Sequence, residues 1–398
     1  MSINRRNFLS LAATAPLLGL PWASRLQAST GAAFQPSSLL VLVYLKGGND
    51  AYNTFVPLND ARYRKLRPTL AIARDQLIPF SATHGFNPAL KPLLPCWENK
   101  EMALLQGIGQ QEITNQHFRD LETQFTAASP GQYYDDGWLT RALAANTGNN
   151  RLGKSVLDAL AFGDLDIREA DPMGPFRGNK IRVINMQHPS EWLIGQKVVG
   201  TMHLESTPAR VLVDTYAQQQ RVTLRTAFPA NEFGDALKAT AQLAAADMAP
   251  PVVHIGLTAV DDDQHHAFDT HWDQQKYHGP TLTKLAEGLA AFRNAMREIG
   301  QWDNTLLATY DEFGRSPKEN EKQGTHHGWS STQIVLGGKV KGGVLGEPPP
   351  VIDVFAIDGP PPVIDYRELY TTIIEQWWQG KARGVFDRNF KTLDLLRA

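Results

Sequence analysis

The stretch SLLVLVYLKGGND, residues 38–50, is apolar at every position from Leu39 to Leu45 and then stops at two glycines and two polar residues. A strand with one wet face alternates apolar and polar residues. An unbroken apolar run suits a strand buried on both faces, and such strands belong to parallel sheets covered by helices. MALLQGIG (102–109), VVHIGL (252–257), NTLLATYDEFG (304–314) and TQIVLGG (332–338) repeat the theme. Between them lie helical patterns. Leu282, Leu285, Leu289, Phe292 and Met296 recur at spacings of three and four, one apolar stripe. The segments 233–249 and 365–378 behave alike. Strands alternating with amphipathic helices predict an α/β sandwich around a mainly parallel sheet. In such sheets ligands gather just beyond the strand C-termini.

The first residues are set apart from this pattern. Arg5-Arg6 is followed by Phe8-Leu9, an apolar stretch to about Leu20 and small residues ending at Ala28. That order is a twin-arginine export signal, residues 1–28, which predicts a periplasmic or secreted protein. A cytoplasmic chain that happens to begin with two arginines is the alternative. No segment approaches the roughly 20 apolar residues of a membrane span. Residues 29–398 read as one domain, with surface insertions near 163–199 and 346–366, where proline, glycine and charge break the periodicity. A formal net charge of −2 gives no electrostatic footprint for nucleic acid. The single cysteine, Cys96, excludes an internal disulfide and a thiolate metal cage, and reads as a packed residue.

Four strand-end or loop clusters could carry chemistry: Asp50 in KGGNDAYNT, Asp269 and His271 in HHAFDTHWDQ, Glu312 in YDEFGR, and His326-His327 in GTHHGW. If the strand ends bring them together, carboxylates and imidazoles form an oxygen/nitrogen site for a hard or borderline divalent cation. Each also has a plainer reading. Asp50 could cap the following turn, and Asp269 could cap a helix with His271 incidental. Glu312 and Arg315 could be an ion pair at a strand end. His265 and His266 sit in an acidic loop that reads as a solvated insertion.

With these pieces the chain resembles a family of exported bacterial proteins that carry the domain of unknown function 1501. The resemblance rests on the signal, LKGGNDAYNTFVPLND, FNPALKPLLPCWENKEMALLQGIG, FDTHWDQQ, YDEFGRSPKENEKQGTHHGW and VLGGKVKGGVLGE. It implies the alkaline phosphatase and sulfatase-like superfamily: a three-layer α/β/α sandwich with divalent metal at strand ends, cleaving phosphate or sulfate esters. It makes Asp50 the first-strand metal carboxylate, Asp269 and His271 the middle pair, Glu312 a strand-end acid and His327 the late ligand. His326 is a second ligand or a bystander. Two departures stand out. The family usually reads Asp-His-Gly where this chain has His326-His327-Gly328. It usually has Ser-His-Phe at a helix start where this chain has Gln116-His117-Phe118.

An amide is no nucleophile, so Gln116 cannot replace the serine. Thr114 could do so only if the loop is re-aimed, and a metal-activated water could act directly. Histidine for aspartate at 326 favours zinc-like ions over calcium or magnesium. The reading is therefore a metal-dependent hydrolase-like protein, with Thr114, Gln116, His117 and Arg315 as the catalytic set and Arg315 as an anion clamp. Asp50, Asp269, His271, Glu312, His326 and His327 form the metal set. A small anionic ester or a sulfated or phosphorylated glycan is the expected ligand, and the sequence names no protein partner. The rival reading is a non-catalytic binding or assembly protein that keeps the fold.

Overall fold

The apolar run that opens the chain's first motif forms a strand, β1 (Leu39–Leu45), buried at every position. This computed structural model describes residues 38–147, 157–163, 174–186, 202–203, 222–257, 267–353 and 361–397. The export segment, His265-His266 and most of 163–199 lie outside the described residues. The other elements that position the site are, in chain order, β2 (Met102–Gly109), helix α1 (His117–Thr126), β3 (Val252–Leu257), helix α2 (Gln274–Glu298), β4 (Thr305–Tyr310), β5 (Arg315–Glu319), β6 (Thr325–His327) and β7 (Ser331–Gly337).

β1 lies at the heart of a ten-stranded sheet, paired in parallel with β4 on one side and β3 on the other. Beyond β3 come Ala159–Phe162 and Val183–Met186, both parallel, and a short antiparallel edge at Met202–His203. On the other flank β7 runs antiparallel between β4 and β2. The sheet is thus mainly parallel, as the unbroken apolar runs predict.

Two cores lie on opposite sides of it. Val41, Val43 and Leu45 join one core with Leu282, Leu285, Leu289, Phe292 and Met296 of α2. Leu40, Leu42 and Tyr44 join the other with Leu121 and Phe125 of α1, Trp138 and Tyr370. Successive side chains of one strand point to opposite faces, so a strand feeding two cores must have helices on both. This is the three-layer arrangement. Each such Leu or Val contributes roughly 1.5–3 kcal/mol by leaving water.

Cys96 is a buried free thiol in the first core, and burial pushes its pKa up to about 12, as suits a packing residue. Gly343–Gly346 and Ile364–Asp365 both add to the free edge of β2 in parallel. Among the described residues no helix is long and apolar enough to cross a membrane.

Candidate metal centre

Helices from both layers start at the same end of the sheet. α1 opens at His117, and α2 opens at Gln274, just after Asp269 and His271. Past β1 the chain turns through Gly47 and Gly48 at φ of 105° and 87°. A side chain at Gly47 would come within 2.3 Å of the Asp269 backbone nitrogen, so only glycine lets the 267–273 loop approach β1. That loop is strapped to the β5–β6 hairpin. Thr325 N donates to Thr270 O at 2.9 Å, Asn320 Nδ2 to His271 O at 2.9 Å and Gln274 N to Gln323 O at 2.9 Å.

These straps gather His117, Asp269, His271 and His327, whose ligand-type atoms all lie within 4.8 Å of one another. Asp269 is the hub. Its oxygens stand 2.9 Å from His271 Nε2, 3.4 Å from His117 Nε2 and 3.6 Å from His327 Nε2. His271 Nε2 and His327 Nε2 are 2.9 Å apart. The buried ring of Phe313 stacks on His327 with centroids 4.3 Å apart and lies 4.8 Å from His117.

The tautomers follow from what the outer nitrogens face. His327 Nδ1 lies 2.9 Å from the carbonyl oxygen of Asn115, which can only accept, so the proton sits on Nδ1 and Nε2 keeps its lone pair. Burial lowers the pKa of His327, which keeps the ring neutral. His117 Nδ1 donates to Glu312 Oε1 at 2.7 Å, leaving Nε2 toward Asp269. This carboxylate–imidazole pair is the usual outer support of a metal-binding histidine. Burial pulls the His117 pKa down, but its hydrogen bonds to the Asp269 and Glu312 carboxylates outweigh this and lift it to about 9. Burial likewise pushes Asp269 up, yet hydrogen bonds from His117 and His271 and the charge of Arg315 hold it far below the carboxylate range. Three imidazole nitrogens and one carboxylate oxygen form, among the described residues, a donor set that fits a divalent metal ion. The residues present fit a metal.

The structure brings together three of the predicted ligands, Asp269, His271 and His327, and adds His117, a residue the sequence assigns to the catalytic set. It corrects the others. Asp50 is fully buried and caps the turn at Tyr52, with both oxygens held by Arg67. Glu312 sits behind His117 and accepts from Gly47 N at 3.1 Å, so it orients the His117 ring and is not one of the four. Arg315 is 1% exposed and cannot clamp a substrate anion. Its Nε donates to Gly48 O at 3.0 Å, and its terminal nitrogens donate to Gly47 O, Thr325 O and Asp269.

Strand alternation in β6 sends His326 outward, exposed, with its ring centroid 6.2 Å from that of His271. Thr114 donates its hydroxyl and its backbone N–H to Asp120 at 3.0 and 2.8 Å, which ties the loop down and occupies the proposed nucleophile. Gln116 is the exposed N-cap residue of α1 and makes no capping bond. Three supporting residues escaped the sequence reading: Arg67, Gln274 and Asn115. Asn115 is the only one that carried a signal. An asparagine just before a helix is a residue type that tolerates left-handed backbone, and its φ is 59°.

Residues 197–376 match the family model described as protein of unknown function (DUF1501). The matched segment contains Asp269, His271, Glu312 and His327. No curated protein matches the chain. Among solved structures the chain is similar to the PsFucS1 sulfatase from Pseudoalteromonas sp., with TM-score 0.42 and 11% identity over 90% of this chain and 71% of that one. It is also similar to a protein in the alkaline phosphatase superfamily from Vibrio parahaemolyticus, at 0.38 and 9% over 95% and 76%. A third is the phosphonate monoester hydrolase SpPMH from Silicibacter pomeroyi, at 0.38 and 11% over 90% and 76%.

Proposed function

We propose that this chain, a DUF1501 sequence over residues 197–376, is an exported metal-dependent protein that binds phosphate or sulfate esters, small or borne on a glycan, and cleaves them without a side-chain nucleophile. The observation that carries the reading is the convergence of His117, Asp269, His271 and His327 within 4.8 Å at the end of a mainly parallel sheet. A divalent, zinc-like ion bound there would supply Lewis-acid charge to the ester oxyanion. Glu312 fixes the His117 ring by accepting a 2.7 Å hydrogen bond from its Nδ1–H, and the Asn115 carbonyl does the same for His327. The start of α1 faces solvent at Gln116, whose amide can donate to an anion, assisted by the positive end of the helix dipole. With no hydroxyl at 116 and that of Thr114 given to Asp120, water is the attacking group. The export signal at Arg5-Arg6 supports a periplasmic location.

The same two residues favour a second reading, a metal-bearing binding protein without turnover. One experiment separates the two. Protein purified from the periplasm is analysed for metal and assayed on aryl phosphate and aryl sulfate esters, alongside Gln116→Ser. The proposal expects bound metal, slow turnover and a faster Gln116→Ser variant. Bound metal with no turnover in either protein leaves the binding reading, and absence of metal sinks both.

A further inference from the structure

We infer that the site takes a single metal ion, because the guanidinium of Arg67 is the built-in cation at Asp50, and that this pair braces the loops carrying the ligands. The inference rests on the metal reading above and concerns residues outside the four-residue group.

Asp50 and Arg67 are both fully buried and form an ion pair at 2.5 Å. Every donor group of the guanidinium is engaged. Nη1 reaches Asp50 Oδ2 at 2.5 Å and Asn53 Oδ1 at 2.9 Å. Nη2 reaches Asp50 Oδ1 at 3.0 Å and Ser316 O at 2.6 Å, and Nε reaches Pro317 O at 2.8 Å. Asp50 is equally saturated. Besides the two arginine bonds it accepts from Tyr52 N at 3.1 Å and from Gln274 Nε2 at 2.5 Å. A carboxylate has about four lone-pair sites, and here four donors fill them. An arginine does not give up its proton, so a divalent ion at Asp50 would have to displace those donors and face a fixed positive charge. The carboxylate at the end of β1 is therefore already neutralised from within.

The pair also reaches the ligand loops. Gln274, whose amide nitrogen holds Asp50, uses its Oε1 to accept from Thr270 Oγ1 at 2.9 Å and from Thr325 Oγ1 at 2.9 Å. Thr270 lies between Asp269 and His271, and Thr325 starts the strand that ends at His327. The bonds from Arg67 to Ser316 O and Pro317 O grip β5, the hairpin partner of β6. Arg67, Asp50 and Gln274 thus form one polar chain, with branches ending on both segments that supply ligands.

The test is a Co²⁺ titration of metal-stripped full-length protein, followed by visible absorption and by elemental analysis after desalting. Saturation at one equivalent is expected, and two equivalents would overturn the inference while leaving the metal reading intact. No binding at all would overturn the metal reading and the inference with it. Gln274→Ala, which leaves the Asp50–Arg67 ion pair in place, should still saturate at one equivalent but bind Co²⁺ about 10-fold more weakly, as loss of an outer-shell support does. Unchanged affinity in that variant would show that the chain braces nothing. Should the variant not fold, the wild-type stoichiometry still decides the first half.

Discussion

Asp50 and Asp269 are both acids at the same end of the sheet, each against a buried arginine, and they have opposite fates. Asp50 meets Arg67 through both oxygens and takes its remaining bonds from an amide and a backbone N–H. All of those partners are permanent donors. Asp269 meets Arg315 through one oxygen, and its other neighbours are three imidazoles. An imidazole can surrender a proton and turn a lone pair inward, whereas a guanidinium and an amide cannot. The first cluster is closed by chemistry and the second can open to a metal. What separates a structural carboxylate from a ligand here is the set of groups delivered to it from elsewhere in the chain.

The comparison breaks most visibly at Arg67. Arg67→Met should lower the unfolding free energy by roughly 3–5 kcal/mol, because it strands a buried carboxylate. Chemical denaturation in the presence of a chelator reads this directly. Replacing both partners, as Arg67→Met with Asp50→Leu, should recover most of the loss, since an apolar pair needs no counter-charge. A cost below about 1 kcal/mol for the single variant would mean that Asp50 is not held as described.

The matching change in the other cluster should touch the metal more than the fold. His327→Ala should weaken metal binding at least 100-fold, about 2.7 kcal/mol, while stability in chelator moves by about 1 kcal/mol or less. Calorimetric titration and chelated-state denaturation separate the two effects. A large stability loss with unchanged affinity would place His327 on the structural side of the comparison. Between these extremes lies Glu312, which acts on the ion only through His117. Glu312→Gln keeps the shape and removes the charge that supports the His117 Nδ1–H, so affinity should fall by about 10-fold. A fall as deep as that of His327→Ala would make Glu312 a ligand after all.

Much of this could be read from the chain before the structure. Unbroken apolar runs announce doubly covered strands, and β1 and the α2 stripe form as their spacing predicts. Asp269, His271 and His327 stand beside such runs and do converge. Asp50 and Glu312 stand beside them just as plainly and are not among the four. Their local sequence is silent because their fate depends on distant partners. Arg67 comes from the basic stretch RYRKLRP, and only folding carries its guanidinium to full burial. His117 misled in the other direction. Its place after Gln116 drew attention to the missing hydroxyl, while its ring stands with Asp269, His271 and His327.

The finest test of the comparison is at Asn115, where backbone conformation stands in for side-chain chemistry. The carbonyl that fixes the His327 tautomer belongs to a residue at φ 59°, a region that costs most L-residues roughly 1–2 kcal/mol. Asparagine tolerates that region, yet its Oδ1 is buried without a protein hydrogen-bond partner. The side-chain oxygen is therefore not what holds the carbonyl in place. Asn115→Gly should keep both the left-handed turn and the bond to Nδ1, with metal affinity within about twofold of wild type and little change in stability. Asn115→Ala should cost about 1 kcal/mol, shared between folding and metal affinity according to whether the strained turn or the bond yields first. The imidazole ¹⁵N spectrum reports which. A proton retained on Nδ1 means the strain is borne by the fold, and one exchanging between the two nitrogens means the turn has relaxed and released His327. Equal losses in the glycine and alanine variants would transfer the role from the backbone carbonyl to the asparagine side chain.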